Sequence, residues 1–555
     1  MAITDAPVTA RTTLITGATV VDGTGAPRRR GDVAVTGTRI TAVAAPGELA
    51  GSAADRTIDA DGLVLSPGFI DMHAHSDLQL LATPRHEAKL TRGVTTELLG
   101  QDGLSYAPVD DATLAGVREK IAGWNDDPDG FDWSWRSVGD YLDRLDRADA
   151  DGGRIATNAA YLVPQGTVRA LVMGFDAGEP TAAQLARMQD VVRTGMLEGA
   201  VGLSSGLTYT PGMYAGTAEL GALCRTVAEL GGFYAPHHRS YGRGALEAYA
   251  EMIGLSRDTG CALHLAHATM NFAENAGRAP ELLALIDAAL DAGADITLDT
   301  YPYLPGATTL SAVLPSWASA GGVDATLERL ADPAARDRIR EDLEVNGSDG
   351  CHGVTAEWDT IEISGVRHLE LEGYVGRTVA AIAVDEARDA FDVFADVLTR
   401  DRCGTGILQH VGHEENVRAI MVHRAHTGGS DGILVGAKPH PRAWGTFPRY
   451  LGHYGRELGL MSLEETVHHL TGRPAARLRL DRRGLVRAGW AADLVLFDPD
   501  TVADRATFDD PRQPAAGIHH VLVNGVPAVD DGRPTGARAG RALRRTPRGT
   551  APADD

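Results

Sequence analysis

Cysteine and lysine are both scarce in this chain of 555 residues. The four cysteines are scattered and form no C-x-x-C pair, which argues against a disulfide framework and against a structural zinc knuckle. Lysine occurs only three times, so almost all of the positive charge is arginine, and any mechanism that needs a lysine has three candidates. The cysteines are Cys224, Cys261, Cys351 and Cys403, and the lysines are Lys89, Lys120 and Lys438.

Positive charge is in the minority, with 52 basic residues against 75 acidic ones and a formal net charge of -23. Such a chain would repel a phosphate backbone, so we expect no nucleic acid among its partners. No apolar run is long enough to cross a bilayer, and the first residues lack a basic segment followed by an apolar stretch. We therefore expect a cytoplasmic protein without a membrane partner.

Two widespread catalytic motifs are missing as well. The sequence contains no G-x-x-x-x-G-K-[ST] and no G-x-S-x-G, which excludes a nucleotide phosphate loop and the nucleophile elbow of serine hydrolases. The sequence does have 43% apolar and 23% charged residues, a balance that is typical of a folded globular protein.

Both ends of the chain are rich in short segments of β type. Residues 1–66 and 476–534 contain apolar runs that Gly, Asp and Pro interrupt, without a helical period. Each flank is too short to bury a core, so we predict one small composite β-domain built from both chain ends. Residues 535–555, rich in Gly, Ala, Arg and Pro, are predicted to form a flexible C-terminal tail.

The middle of the chain, residues 67–475, alternates eight short apolar runs with segments of helical period. This order predicts an α/β fold, a (β/α)8 TIM-like barrel of parallel strands. Polar residues follow the apolar runs, and the C-terminal strand ends of such a barrel form the catalytic face. The stretch from about 317 to 423 is too long for a barrel connection, so we predict an insertion between strands seven and eight.

The clearest chemical signal is the His-x-His pair His73 and His75, which ends the first apolar run, GFIDMHAH. Alternate residues of a strand face the same side, so both imidazoles can reach one ion; two histidines that merely cap a strand are the alternative. His237 and His267 end two later runs and Asp431 ends the last, which places all five at one mouth of a barrel. Nitrogen and oxygen ligands of this kind are expected for Zn²⁺ or a similar divalent ion.

These residues, in this order, resemble the amidohydrolase superfamily of metal-dependent barrel hydrolases, and within it the N-acyl-D-amino-acid deacylase (D-aminoacylase) family. The resemblance extends to about Val529 and is carried by GFIDMHAHSD, GVTTELLGQDGLSYAP, NAAYLVPQGTVR, GLSSGLTYTPGMYA, DTYPYLPGATTL, SDG and HPRAWGTFPR. It implies one or two Zn²⁺ or other divalent ions. The ligands that it implies are His73, His75, His237, His267 and Asp431.

Asp102, in GQDG, stands where this family usually has a zinc-binding cysteine. A carboxylate is a harder ligand than a thiolate and can bridge two metals, so we predict that Asp102 binds metal. Neighbouring barrel hydrolases often bridge their metals with a carboxylated lysine, but no lysine ends the third or fourth apolar run here. A turn aspartate that accepts hydrogen bonds only from backbone amides is the alternative.

Two further departures from the family concern the substrate. The family's Ser-His-His-Lys segment reads AHAT and ends in Thr269, which removes a lysine that helps to hold the substrate carboxylate, and a third-strand histidine becomes Gln165. Arg442 matches the family's other carboxylate-binding residue, and Tyr301 matches a tyrosine that can polarise the scissile carbonyl. A structural ion pair for Arg442 and a core position for Tyr301 are the alternatives.

The resemblance implies hydrolysis of the amide bond of N-acyl-amino acids of D configuration, with Asp431 as the catalytic proton acceptor. A cyclic amidase or another amide hydrolase of the superfamily is the main alternative, because Thr269 replaces the lysine. A deaminase is disfavoured because no His-x-x-Glu follows the fifth run, and a non-catalytic assembly protein is disfavoured by the five clustered ligands. We expect a small-molecule substrate and a monomer or homo-oligomer.

Overall fold

A computed structural model describes residues 11–147, 152–546 and 549–550, and a parallel barrel lies at its centre. Eight strands hydrogen-bond side by side in chain order, which confirms the predicted (β/α)8 fold. The barrel strands are β1 (Phe69–Asp71), β2 (Val94–Leu99), β3 (Asn158–Pro164), β4 (Gly202–Gly206), β5 (Phe233–His237), β6 (Ala262–Leu265), β7 (Ile296–Thr300) and β8 (His426–Gly428).

The barrel strands read as continuous apolar runs because both of their faces are covered. Every residue of β2, β3 and β5 is buried, with side chains of the barrel interior on one face and helices on the other. A strand that faced water on one side would alternate apolar and polar residues instead. Polar side chains are therefore concentrated where each strand ends, at the mouth of the barrel.

The seam between β8 and β1 brings two of the predicted ligands together. Asp431 N donates to His73 O at 2.8 Å, and the Asp71 carboxylate accepts hydrogen bonds from N and Oγ of Ser430 at 2.8 and 2.6 Å. The fully buried Lys89 Nζ donates to the same carboxylate at 2.7 Å and compensates its charge. The seam thus fixes the ends of the first and last strands against each other.

Helices connect the barrel strands and cover the outside of the barrel. The α-helices are Gln79–Ala82, Glu87–Leu90, Asp111–Lys120, Ala122–Asn125, Val138–Asp146, Gln165–Met173, Ala182–Leu197, Thr217–Glu229, Ala245–Thr259, Ala279–Asp291, Glu414–Met421, Arg442–Arg449, Leu463–Leu470 and Gly472–Leu478. Short 3₁₀ helices span Gln101–Gly103, Gly212–Tyr214 and Ala273–Asn275, and a π-helix spans Tyr450–Glu457.

One nine-stranded sheet combines segments from the two ends of the chain. Val64–Pro67, from the N-terminal part, pairs antiparallel with Leu494–Phe497, from the C-terminal part. Buried aliphatic side chains from both parts share one cluster, which neither part could form alone. The other strands are Thr12–Val20, Arg29–Thr36, Arg39–Ala44, Arg56–Asp59, Ile518–Val523, Val526–Asp530 and Arg533–Pro534.

The segment between β7 and β8 contains a small sheet with its own apolar cluster. Gly406–Gln409 is the central strand and pairs antiparallel with Gly306–Thr309 and Ile361–Gly365. Its helices are Leu310–Val313, Ser316–Ser319, Val323–Ala331, Pro333–Glu341, Asp342–Asn346, Leu369–Tyr374, Val379–Asp385 and Ala390–Arg400. This segment lies over the mouth of the barrel, since His352 and Gln409 line the cavity there.

The last described residues contact the barrel. Gly540 N donates to Ile155 O, Leu543 N donates to Ala159 O at 2.7 Å, and Arg545 N donates to Gly199 O at 2.9 Å. The strands Arg545–Thr546 and Gly549–Thr550 pair with each other. Across the described ranges, no helix combines the length and the apolar character that a bilayer span requires.

Candidate metal centre

The structure brings all six predicted metal ligands to the C-terminal mouth of the barrel. They come from five barrel strands: the histidine pair follows β1, Asp102 follows β2, His237 ends β5, His267 follows β6 and Asp431 follows β8. All six side chains are buried. That they bind metal stays a prediction, which the following geometry supports.

The six side chains form two groups that share Asp102. Donor atoms of His73, His75, Asp102 and Asp431 lie within 4.8 Å of one another, and so do those of Asp102, His237 and His267. One carboxylate oxygen of Asp102 is 3.4 Å from His73 Nε2, and the other is 3.4 Å from His237 Nδ1. Asp102 therefore stands between two ligand groups, as a carboxylate that bridges two cations would.

Unsatisfied polar atoms show that these residues fit a cation. Both ring nitrogens of His73 and Oδ1 of Asp102 are buried and have no hydrogen-bond partner among the described residues. A buried polar atom without a partner costs roughly 1–3 kcal/mol, so native proteins rarely leave several together. A divalent ion accepts the lone pairs of imidazole and carboxylate, and the mixed N/O set suits Zn²⁺ or a similar ion.

Backbone strain is concentrated at the same residues. Asp102, His267 and Asp431 have φ values of 54°, 31° and 48°, in the left-handed region that L-residues seldom adopt. Each such residue costs about 1–3 kcal/mol and persists only where the surrounding structure holds it. For His267, the backbone N donates to the Asp299 carboxylate at 3.0 Å. All three strained residues belong to the two groups of predicted ligands.

The turn that carries Asp102 is held by a buried aspartate that the sequence analysis did not single out. Asp77 Oδ1 accepts hydrogen bonds from Gly100 N at 2.9 Å and from Ser105 Oγ at 2.6 Å. Gly206 lies so close that a Cβ atom there would collide with the backbone oxygen of Asp102. The Asp102 side chain faces the histidines, with its oxygens 3.4 Å from His73 Nε2 and His237 Nδ1 and 3.5 Å from His75 Nε2 and His267 Nε2.

The charges around the site favour ionised carboxylates and a neutral His237. Burial raises the pKa of Asp102, but His237, His73 and His267 outweigh it and hold that pKa well below its ordinary value. Burial also raises the pKa of Asp431, and Arg442 and His73 reverse the effect and lower it. Burial lowers the pKa of His237 to about 4, which leaves its ring neutral near pH 7. Burial lowers the pKa of His73 and His75, but Asp102 and the neighbouring carboxylates outweigh it and raise both, so a cation that binds there would displace protons from these two rings.

A second set of side chains orients the histidines. Tyr241 Oη lies 2.9 Å from His267 Nδ1, and Thr208 Oγ1 lies 2.6 Å from His237 Nε2. The Asp299 carboxylate is 2.9 Å from His264 Nε2 and 3.6 Å from His73 Nδ1. Such contacts fix the ring orientation of a ligand and raise its basicity. No sequence motif identified Tyr241 or Thr208, because each acts only through a ligand from another strand.

The predicted substrate-binding residues lie beside Asp431. Arg442 Nη2 is 3.0 Å from Asp431 Oδ2, and the guanidinium carbon is 4.4 Å from the centre of the Tyr301 ring. Arg442 is fully buried, and its Nε and Nη1 have no hydrogen-bond partner within the described part of the chain. Burial raises the pKa of Tyr301 to about 12, so its hydroxyl remains protonated and can donate.

A cavity of about 70 Å³ opens onto this site. Its wall includes five of the six predicted ligands, all except His73, together with Tyr301 and Thr269. The cavity is also lined by Trp124, Tyr209, Tyr241, Asn271, His352 and Gln409.

A (β/α)8 barrel with a histidine and aspartate cluster at its C-terminal mouth defines the class of metal-dependent barrel hydrolases. Residues 56–529 match the amidohydrolase family (Amidohydro_3), and the chain belongs to this family. It is 36% identical to the D-aminoacylase of Alcaligenes xylosoxydans xylosoxydans over 533 residues, 96% of this chain and 97% of the relative.

Two solved structures are similar along almost their whole length. An N-acyl-D-glutamate deacylase from Bordetella bronchiseptica, complexed with zinc and a phosphonate mimic of the tetrahedral intermediate, is 34% identical with a TM-score of 0.79, covering 97% of this chain and 100% of its own. A D-aminoacylase with a binuclear metal centre is 36% identical with a TM-score of 0.79, covering 96% and 99%.

Proposed function

We propose that the protein is a metal-dependent hydrolase of N-acyl-D-amino acids that releases a carboxylic acid and a free amino acid. The observation that carries this proposal is the position of Asp431, with one carboxylate oxygen toward His75 at 3.2 Å and the other toward Arg442 at 3.0 Å. One carboxylate thus touches both the ligand cluster and a buried cation. Relatives that hydrolyse acyl-D-amino acids share this fold over nearly the whole chain.

Asp431 is the proton carrier in this proposal. A divalent ion bound by the six ligands would lower the pKa of a water and polarise the amide carbonyl. Asp431 accepts one proton from the attacking water and passes it to the amide nitrogen. The water oxygen adds to the acyl carbon, the carbon–nitrogen bond breaks, and the nitrogen leaves as an amine. No serine or cysteine nucleophile is needed.

Arg442 and Tyr301 bind the two polar ends of the substrate. The buried guanidinium offers two unpartnered nitrogens, Nε and Nη1, to the carboxylate of the amino acid. The Tyr301 hydroxyl stays protonated and would donate a hydrogen bond to the acyl oxygen as negative charge develops there. Because Arg442 is buried against Asp431, the carboxylate would lie close to the reacting bond.

The test is a hydrolysis screen with purified protein and measured metal content. We expect release of amino acid from N-acetyl-D-amino acids, little release from the L enantiomers, and one or two divalent ions per chain. Protein that contains metal but hydrolyses none of the D substrates would refute the proposal.

A cyclic amide hydrolase is the second candidate, and Thr269 favours it. The Thr269 hydroxyl lines the cavity and donates to Asn271 Oδ1 at 2.7 Å, so this wall offers no cation to a substrate carboxylate. Cyclic imides lack that carboxylate and would not need one. Comparing kcat/KM for N-acetyl-D-leucine and for dihydrouracil distinguishes the two candidates, and faster opening of the ring would favour the second.

Replacing Arg442 by alanine should weaken the use of free-acid substrates by about 2–4 kcal/mol in kcat/KM, because a substrate carboxylate would be buried without its partner. The matching N-acyl-amino-acid amide has no carboxylate and should lose much less. Measuring kcat/KM for the acid and the amide with wild type and R442A separates these effects. Equal losses on both substrates would mean that Arg442 acts only through Asp431.

A further inference from the structure

The wall of the catalytic cavity beyond the ligand cluster carries no arginine or lysine among the residues that the structure describes. Its surface is aromatic and neutral polar, formed by Trp124, Tyr209, Tyr241, Thr269, Asn271 and Gln409. Aromatic rings offer apolar contact, and hydroxyl or amide groups offer single hydrogen bonds, but none of them compensates a buried negative charge.

The two remaining groups that could supply positive charge do not. Burial is the main cause that lowers the pKa of His352 to about 3, so this ring is neutral near pH 7. Arg442 is buried against the Tyr301 ring, is already paired with Asp431, and in the proposed function binds the carboxylate next to the scissile amide. A second carboxylate on the substrate would find no free partner.

A larger neighbouring cavity of about 380 Å³ gives room for a longer side chain but adds no net charge. It shares Ala307, Thr308 and Ile433 with the catalytic cavity. Its wall is mostly small and aliphatic, and its two side chains that are charged at neutral pH, Asp126 and Arg367, have opposite signs and are exposed. Exposed charges in contact with water contribute little to selectivity.

We infer that this enzyme selects N-acyl-D-amino acids with uncharged side chains and discriminates against acidic ones; this inference rests on the proposed function. Burying an unpaired carboxylate in the neutral wall is unfavourable, and a mismatch of this kind reduces kcat/KM by roughly 100-fold or more. The chain would then differ in substrate from its N-acyl-D-glutamate deacylase relative, although both share the fold.

The first measurement compares kcat/KM of the metal-loaded wild type for N-acetyl-D-leucine, N-acetyl-D-glutamine and N-acetyl-D-glutamate. We expect the two neutral substrates to exceed glutamate by about 100-fold, with glutamine controlling for the shape of glutamate. Glutamate used as well as glutamine would overturn the inference and leave the proposed function intact. Hydrolysis of none of the three would overturn both.

The second measurement adds a cation to the wall. Gln409 is half-buried at the end of its strand and lines the cavity. Of the predicted ligands, only Asp431 lies near it in the sequence. Gln409→Arg should raise kcat/KM for N-acetyl-D-glutamate about tenfold or more and lower it for leucine. Asn271→Arg, at another residue that lines the cavity, serves if the first variant does not fold. Val384→Arg, on a side chain that is 79% exposed, adds the same charge away from the cavity and should change neither rate.

Circular dichroism and metal content confirm that each variant is folded and loaded. A folded arginine variant with unchanged preference between glutamate and leucine would show that this wall does not contact the substrate side chain. A shift with Val384→Arg as large as with Gln409→Arg would show a general charge effect, and it would also overturn the inference.

Discussion

Asp102→Ala is expected to lose bound metal and activity together. The Asp102 carboxylate lies between both ligand groups, with its oxygens 3.4 Å from His73 and 3.4 Å from His237, so its removal opens the coordination of both at once. A missing ligand leaves an incomplete shell, and the four histidines lose their shared negative partner. We expect less than half of the wild-type metal content and turnover below about 1% of wild type. Metal analysis, steady-state kinetics and the thermal shift on adding Zn²⁺ measure these effects.

Two companion variants make this result specific. Asp102→Cys restores an anionic ligand and should keep one zinc ion while shifting preference toward softer ions, because a thiolate is the softer donor. Asp129→Ala removes an exposed aspartate outside the site and should change neither metal nor rate. Full metal content and normal turnover in Asp102→Ala would show that Asp102 has only a structural role in its turn.

Asp431→Asn is expected to reduce turnover by roughly 10²-fold or more while part of the metal remains. The amide keeps an oxygen near His75 but cannot accept the proton of the attacking water, and losing a general base has this scale. Substrate binding should change less than kcat, because in the proposed function Asp431 acts on the attacking water and not on the substrate carboxylate. Measuring kcat, KM and metal content separates the effect on turnover from the effect on substrate binding.

The loss of the Arg442 pairing in the same variant needs its own control. Asp431→Asn leaves a buried guanidinium without its carboxylate, so some of the loss could come from displacement of Arg442. Arg442→Ala, measured on the amide substrate, reports the effect of that residue without the proton transfer. If Asp431→Asn lost no more on the amide substrate than Arg442→Ala does, Asp431 would not be the proton carrier.

The ligand cluster was predictable because a parallel barrel converts sequence position into spatial position. A polar residue at the end of an apolar run lies at the C-terminal mouth whichever strand it ends, so His73, His237 and Asp431 converge although they lie far apart in sequence. The barrel itself was predicted from eight apolar runs that alternate with segments of helical period, and the composite sheet from two β-rich flanks, neither of which could bury a core alone. Asp102 could be selected by elimination, because lysine is so scarce.

The residues that hold and surround the cluster could not be predicted in this way. Asp77 acts through hydrogen bonds to a turn on the next strand, and Tyr241 acts through His267, so neither has a sequence pattern of its own. His352 and Gln409 reach the cavity from the segment between β7 and β8. Their positions depend on how that segment packs on the barrel.

By itself, therefore, the sequence determined the fold, the family and the types of side chain at the barrel mouth, because these follow from periodicity, strand-end position and extended collinear motifs. Only the tertiary structure decided that Asp102 lies between two ligand groups, that Arg442 is paired with Asp431 beside Tyr301, and that the cavity wall beyond the ligand cluster carries no arginine or lysine among the described residues. The physical reason is that distances between side chains on different loops depend on packing across the barrel mouth, and local sequence does not specify those distances.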